Sequence, residues 1–187
     1  GKIFYESPVT NLLLKGNKVT GIYVGDKKIE ADAVILASGG FEANENLRKS
    51  FIGDDWLKAK VRGTPHNTGD GLRMALEIGA IKHGLYEGCH ATPMDLHMKN
   101  YGGLDLEPKE RKNYRKICYF LGIMINAKGQ RFLDEGKNFR NYTYAQYGRK
   151  VLEQPGHFAW QIFDGKVLDL LYEEYRFHDA HFVEGKS

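Results

Sequence analysis

Three separated points in this sequence carry side chains that could act together: His90 in a turn-rich loop, Arg140 beyond an apolar stretch, and the Thr-Gly-Asp-Gly run at 68–71. An arginine is a planar, two-pronged clamp for a carboxylate, and a histidine adds a hydrogen-bond donor near neutral pH. Thr68 or Asp70 is expected to cap a helix over residues 72–80, leaving amide donors at its start that could grip a polar ligand. An ordinary capped helix accounts for those two residues equally well. Together the three points suggest a site for an anionic carboxylate.

A fourth point is the run at 33–41, Ala-Val-Ile-Leu-Ala-Ser-Gly-Gly-Phe. An apolar run that ends in glycines reads as a strand buried on both faces, and adjacent glycines let another group approach its end closely. Ligands of α/β sheets collect at the carboxyl ends of strands, which places Ser38, Gly39 and Gly40 where a cofactor would pass. Other constellations carry less. Adjacent Cys89 and His90 point apart in most backbones, and no group can be assigned to orient the histidine. His178 and His181 have helical ligand spacing without a third ligand, so no metal is expected. Neither a G-x-G-x-x-G nor a Walker loop occurs, and the Gly-Lys-Ser at 185–187 lacks the upstream glycine of one.

The elements that must position these groups follow from pattern. Residues 3–37 read as an antiparallel meander, with turns at 15–18 and 25–28 and a last strand over 29–37. A helix is expected over 44–51. The charged run at 109–112 reads as a solvated face. Residues 117–125 and 131–135 flank a turn at 126–129 as a second hairpin. Tyr144, Tyr147 and Val151 fall on one helical face, Pro155-Gly156 ends that helix, 158–163 reads as a strand, and 167–175 as an amphipathic helix. The 187 residues suffice for a sizeable core. With 27 basic against 24 acidic residues the net charge is +3, a weak balance that favours neither nucleic acid nor an anionic membrane. Two cysteines and no apolar run of transmembrane length fit a reducing, cytoplasmic setting.

The order of these motifs resembles a known family. A-D-A-V-I-L-A-S-G-G-F followed by T-P-H-N-T-G-D-G-L-R-M-A-L-E-I-G-A is similar to the flavoprotein subunits of fumarate reductases and succinate dehydrogenases. The later G-I-M-I-N-A-K-G-Q-R-F-L-D-E-G-K-N-F-R-N-Y-T-Y-A-Q-Y-G resembles the tricarballylate dehydrogenase branch. The resemblance implies an α+β fold: a small β-meander belonging to an FAD-binding domain over 1–43, then a capping, substrate-binding domain over 44–187. It implies FAD as cofactor, contacted by Val9, Ser38, Gly39, Gly40 and Asp70. His90 would bind a substrate carboxylate, and Arg140 would be the catalytic proton shuttle. The implied reaction is dehydrogenation of a tricarboxylate such as tricarballylate to cis-aconitate. Alternatives are a dicarboxylate reductase, a cobalamin-pathway oxidase, or a folded module without catalysis. The family's Thr-Glu substrate pair has no counterpart in 114–121, which puts C4 dicarboxylates in doubt. With the pyrophosphate loop and a later histidine and arginine also missing, the chain is expected to be an internal portion of a longer protein. By itself it is not expected to retain FAD. Implied partners are a small carboxylate substrate, the remaining parts of its own chain, a membrane electron acceptor reached through a partner protein, and a second copy paired through the exposed meander. Nucleic acid is not among them.

Overall fold

The computed structural model describes residues 1–101, 107, 109 and 114–176. The described chain is α+β, with short helices and two small antiparallel sheets. It divides into two compact units, one of Gly1–Leu47 with His66–Leu85, the other of Arg48–Pro65 with the described residues from Tyr86 onward. Residues 66–85 therefore group with the meander, on the far side of the boundary expected at 43/44. Among the described residues no helix is long and apolar enough to cross a membrane.

In the first unit, β1 (Val9–Lys15), β2 (Lys18–Val24) and β3 (Lys27–Glu30) form a sheet in the order β1-β2-β3. The turns fall where the sequence puts them, because Gly16 (φ 59°) and Gly25 (φ 58°) supply the left-handed backbone that tight hairpins need. Pairing runs from Val9 opposite Val24 to Lys15 opposite Lys18. The third strand is shorter than expected. After Glu30 only Ala31 continues toward β2, its N–H reaching Thr20 O at 2.9 Å. Residues 32–40 join no ladder among the described residues, and Ile35 is 89% exposed. The expected doubly buried strand is thus an unpaired segment here. Its apolar run records that a strand there needs covering on both faces, but not which segment covers it.

Helix α1 (Glu45–Ile52) begins where Asn44 Oδ1 accepts the Leu47 N–H at 3.1 Å, an ordinary side-chain cap. Helix α2 (Asp70–Glu77) buries Gly71 and Met74, and Arg73 Nη2 donates to Thr10 O of β1 at 2.9 Å. Asn44 Nδ2 donates to Thr68 O at 2.9 Å. These long-range bonds draw 66–85 into the unit of the meander.

In the second unit, β4 (Ile123–Ile125) pairs antiparallel with β5 (Trp160–Ile162). The turn at 126–129 forms as expected, with Gly129 N–H on Asn126 O at 2.9 Å, but the return strand reduces to one bridge between Ile125 and Arg131. Gly122 admits β5 closely, since a Cβ there would strike Ile162 O. Helix α3 (Arg140–Leu152) packs Tyr147 against Ile117, Tyr119 and Met124. Cys118 points the other way, into a cluster with Leu171 and Tyr175. The expected helix at 167–175 is two 3-10 turns, Gly165–Leu170 and Glu173–Tyr175. Leu171 turns extended between them (φ −66°, ψ 139°), so that it and Tyr175 both reach Cys118, which one straight helix would not allow. Most of the charged run at 109–112 lies outside the described residues.

Candidate functional site

The cofactor candidates lie in the first unit. Gly39 has φ 79°, and a Cβ on it would stand 2.8 Å from Asn67 Oδ1. A Cβ on Gly71 would strike Ser38 Oγ. The two glycines thus let 38–40 lie directly on the start of α2, and Ser38, Gly39 and the 67–71 segment come together. Gly40 is less constrained, a Cβ there meeting only the Glu42 carboxylate at 3.0 Å. Val9 sits in β1, the edge strand, which Arg73 of α2 binds at the next residue.

The expected cap is corrected. Gly69, in the left-handed conformation (φ 86°), is the N-cap of α2, and no side chain bonds the first turn. Thr68 Oγ1 donates instead to Asp70 Oδ2 at 2.5 Å, and Arg73 Nε stands 4.0 Å from the other carboxylate oxygen. The two polar side chains engage each other, and among the described residues no side chain is recorded as accepting from the amides that open α2. Uncapped amides, a glycine pair and a fixed carboxylate form a donor–acceptor set that fits a polar cofactor edge.

The substrate candidates lie in the second unit. Arg140 opens α3, half-buried, with its guanidinium 5.6 Å from the centre of the Tyr172 ring. It has no carboxylate partner among the described residues. The obvious rivals are occupied elsewhere. Glu135 is only 3% exposed and accepts the Met124 N–H at 2.6 Å, together with Arg131 Nε at 2.9 Å and Nη2 at 2.5 Å. The Asp134 carboxylate takes the Gly136 N–H at 3.0 Å, and its carbonyl accepts the Tyr147 hydroxyl. Burial pushes both the Cys118 thiol and the Tyr119 phenol up, keeping them neutral, and the Arg140 charge acts on each in the opposite direction. The Tyr119 hydroxyl shares a 2.6 Å bond with Thr143 Oγ1.

His90 is exposed, and its ring meets Tyr144 edge-on at 5.1 Å. Its loop is clasped to α3: Ala91 N–H donates to Ala145 O at 2.9 Å, and Gly148 N–H to Ala91 O at 3.1 Å. Gly148 makes this possible, because a Cβ there would lie 2.5 Å from Ala91 C and O. Arg140 and Tyr144 are one helical turn apart, so the arginine and the histidine serve the same side of α3.

The second unit also holds a polar network, around Lys116 and Tyr175, that spacing did not suggest. Lys116 Nζ donates to Glu174 O at 2.5 Å and lies 3.6 Å from Asp95 Oδ2. Burial lowers the pKa of that lysine, and Asp95 works against the lowering. The Tyr175 hydroxyl accepts the Cys118 N–H at 2.7 Å and donates to Gln161 at 2.6 Å. Its partners lie far apart in sequence, so no motif announced them; for Gly148, a glycine inside a helical pattern was the available signal. Cys89 is exposed and Cys118 buried. Among the described residues no three His, Cys, Asp or Glu side chains cluster as a metal site. His178, His181 and the Gly-Lys-Ser at 185–187 lie outside the described residues.

Comparison with known proteins gives the family. The FAD binding domain family matches residues 1–183. A cytochrome-type fumarate reductase of Shewanella frigidimarina is 35% identical over 156 residues, covering 82% of this chain and 24% of that protein. The 3-oxosteroid 1-dehydrogenase of Mycolicibacterium smegmatis is 28% identical over 185 residues, covering 89% of this chain and 30% of that protein. Among solved structures, the open conformation of a flavocytochrome c3 fumarate reductase superposes with a TM-score of 0.62 at 26% identity, covering 93% of this chain and 29% of that one. The chain spans under a third of the length of these relatives.

Proposed function

This chain belongs to the FAD binding domain family, and from that premise we propose that it forms part of a flavin-dependent oxidoreductase acting on a small carboxylic acid. The observation that carries the substrate class is Arg140: a half-buried guanidinium, without a carboxylate partner among the described residues, on the side of α3 that His90 also serves. A cation left unpaired in a partly desolvated place is strongly favoured to take an anion, and the arginine fork suits a carboxylate.

Toward the cofactor, Ser38, Gly39 and Gly40 approach it by backbone, Asp70 offers a fixed carboxylate, and the edge strand at Val9 offers main-chain groups. FAD, when bound, supplies the two-electron acceptor. The residues of this chain hold the substrate. Arg140 grips one carboxylate and presents an N–H toward the neighbouring carbon, and His90 donates to a second carboxylate. Because a guanidinium does not normally deprotonate, Arg140 exchanges a proton only as part of a relay.

Tricarballylate, oxidised to cis-aconitate, is the substrate we assign first, on the motif that runs from Gly122 to Gly148. Reduction of an unsaturated acid is the second reading, favoured by the 35% identity to a fumarate reductase. The membrane electron acceptor and the cytoplasmic setting belong to the same proposal. The test is anaerobic mixing of the full-length flavin-loaded protein with tricarballylate, succinate and a neutral cyclic ketone, followed by absorbance near 450 nm. Bleaching by tricarballylate supports the reading. Bleaching by the ketone alone would overturn the carboxylate assignment, and a full-length protein that holds no flavin would overturn the proposal as a whole.

A further inference from the structure

Arg140, at the first turn of its helix, has four side-chain torsions and no ion pair among the described residues to hold it, yet a clamp must be held still to bind well. What holds Arg140 is an aromatic ring: Tyr172 lies under its guanidinium at 5.6 Å. A carboxylate partner would fill the N–H fork. A ring attracts the cation through its face and leaves the donors unfilled. Among the described residues the Arg140 guanidinium donates no hydrogen bond, so its donors are available to a ligand. Tyr172 is itself fixed from two sides. Its N–H donates to Cys118 Sγ at 3.4 Å, and its ring meets that of Phe120 at 6.4 Å, tilted 60°. The preceding residue, Leu171, is anchored in the Cys118 cluster, and Tyr172 O accepts the Tyr175 N–H at 3.0 Å.

We propose that Tyr172 is the positioning residue of this site, a platform that aims the Arg140 fork at the substrate carboxylate without occupying it. The proposal rests on the reading of Arg140 as the anion contact. It adds a dependence on a residue 32 positions further along the chain, reached through the buried Cys118.

The test compares Tyr172→Phe, which keeps the ring, with Tyr172→Leu, which keeps bulk but not the π-face, alongside Arg140→Lys. The first readout is the Arg140 Nε–H resonance in an NMR spectrum. A ring current should displace it in the wild type and in Tyr172→Phe and return it to the free-arginine position in Tyr172→Leu. The second is steady-state kinetics of the flavin-loaded protein. Tyr172→Leu should lower kcat/KM about tenfold, and Tyr172→Phe should stay within about threefold of wild type. If Arg140→Lys leaves turnover intact, the reading of Arg140 fails. If Arg140→Lys is crippled while Tyr172→Leu behaves as wild type, the positioning role alone fails. Should Tyr172→Leu not fold, a wild-type Arg140 resonance at the free-arginine position still overturns the proposal.

Discussion

Gly148→Ala should destabilise the protein, although alanine is the better helix former. Inside α3, exchanging glycine for alanine would by itself gain about 0.5–1 kcal/mol. The new methyl, however, would stand 2.5 Å from Ala91 C and O and 2.7 Å from Thr92 N, where ordinary contacts begin near 3.4 Å. All three are backbone atoms, so relief requires the whole 90–92 loop to withdraw by roughly an ångström, the shortfall against van der Waals separation. That stretches both bonds of the clasp, Ala91 N–H to Ala145 O at 2.9 Å and Gly148 N–H to Ala91 O at 3.1 Å. At about 1 kcal/mol each, with some steric strain left over, the loss is ~2–3 kcal/mol against a gain below ~1, a net cost of ~1–2 kcal/mol. Urea denaturation should show a lower midpoint at unchanged slope. In the flavin-loaded protein KM should rise more than kcat falls, because the His90–Tyr144 contact goes with the clasp. A midpoint equal to or above wild type would refute the clasp.

Three further outcomes follow from buried groups and from the sequence. Glu135→Ala leaves the Met124 N–H of β4 without its acceptor and should cost ~1–3 kcal/mol, whereas Glu135→Gln keeps an acceptor and should cost less; chemical denaturation of both separates them. Burial raises the pKa of Tyr119, Tyr147 and Tyr175 in the folded state, so the stability they contribute is complete below about pH 10 and is lost as pH rises toward their folded values. In an alkaline titration at 295 nm their phenolate absorbance should therefore appear only with the unfolding transition; smooth ionisation before unfolding would contradict their burial. The 187-residue chain alone should emerge from gel filtration without stoichiometric flavin absorbance, since the G-x-G-x-x-G anchor for the pyrophosphate is not in it.

Local signals were the legible part of the fold. The helical character of 44–51 announced α1, Gly16 and Gly25 announced the two hairpins, and Pro155-Gly156 marked the end of α3. Each of these is decided within a few residues by backbone sterics or one side-chain bond. Elements decided by a distant partner were harder to read. The 33–37 run predicts a buried strand without saying what buries it, and β4 prefers β5, 35 residues on, to the segment just across its own turn. At 167–175 the apolar spacing was read as one helix, but reaching Cys118 with both Leu171 and Tyr175 required a break between two turns. The site divides in the same way. Arg140 and His90, as candidates, were visible in the sequence because their types and motif context suggest a carboxylate site. Tyr172 was not, because nothing in a tyrosine 32 residues away signals a guanidinium above it. The cap of α2 was misplaced for a third reason: Thr68 and Asp70 can bond each other as readily as the helix.

The most direct test of the whole account is Arg140→Lys in the full-length protein, with flavin occupancy verified first and bleaching by tricarballylate followed by anaerobic stopped flow. Asp134 and Glu135 are set aside as ion-pair rivals, since Glu135 is spent on Arg131 and Met124 and the Asp134 carboxylate on Gly136. Lysine keeps the charge but not the planar fork. The account predicts that kcat and kcat/KM fall together by ~100-fold or more, with the flavin spectrum unchanged. Near-normal bleaching by the lysine variant, at full flavin occupancy, would contradict it.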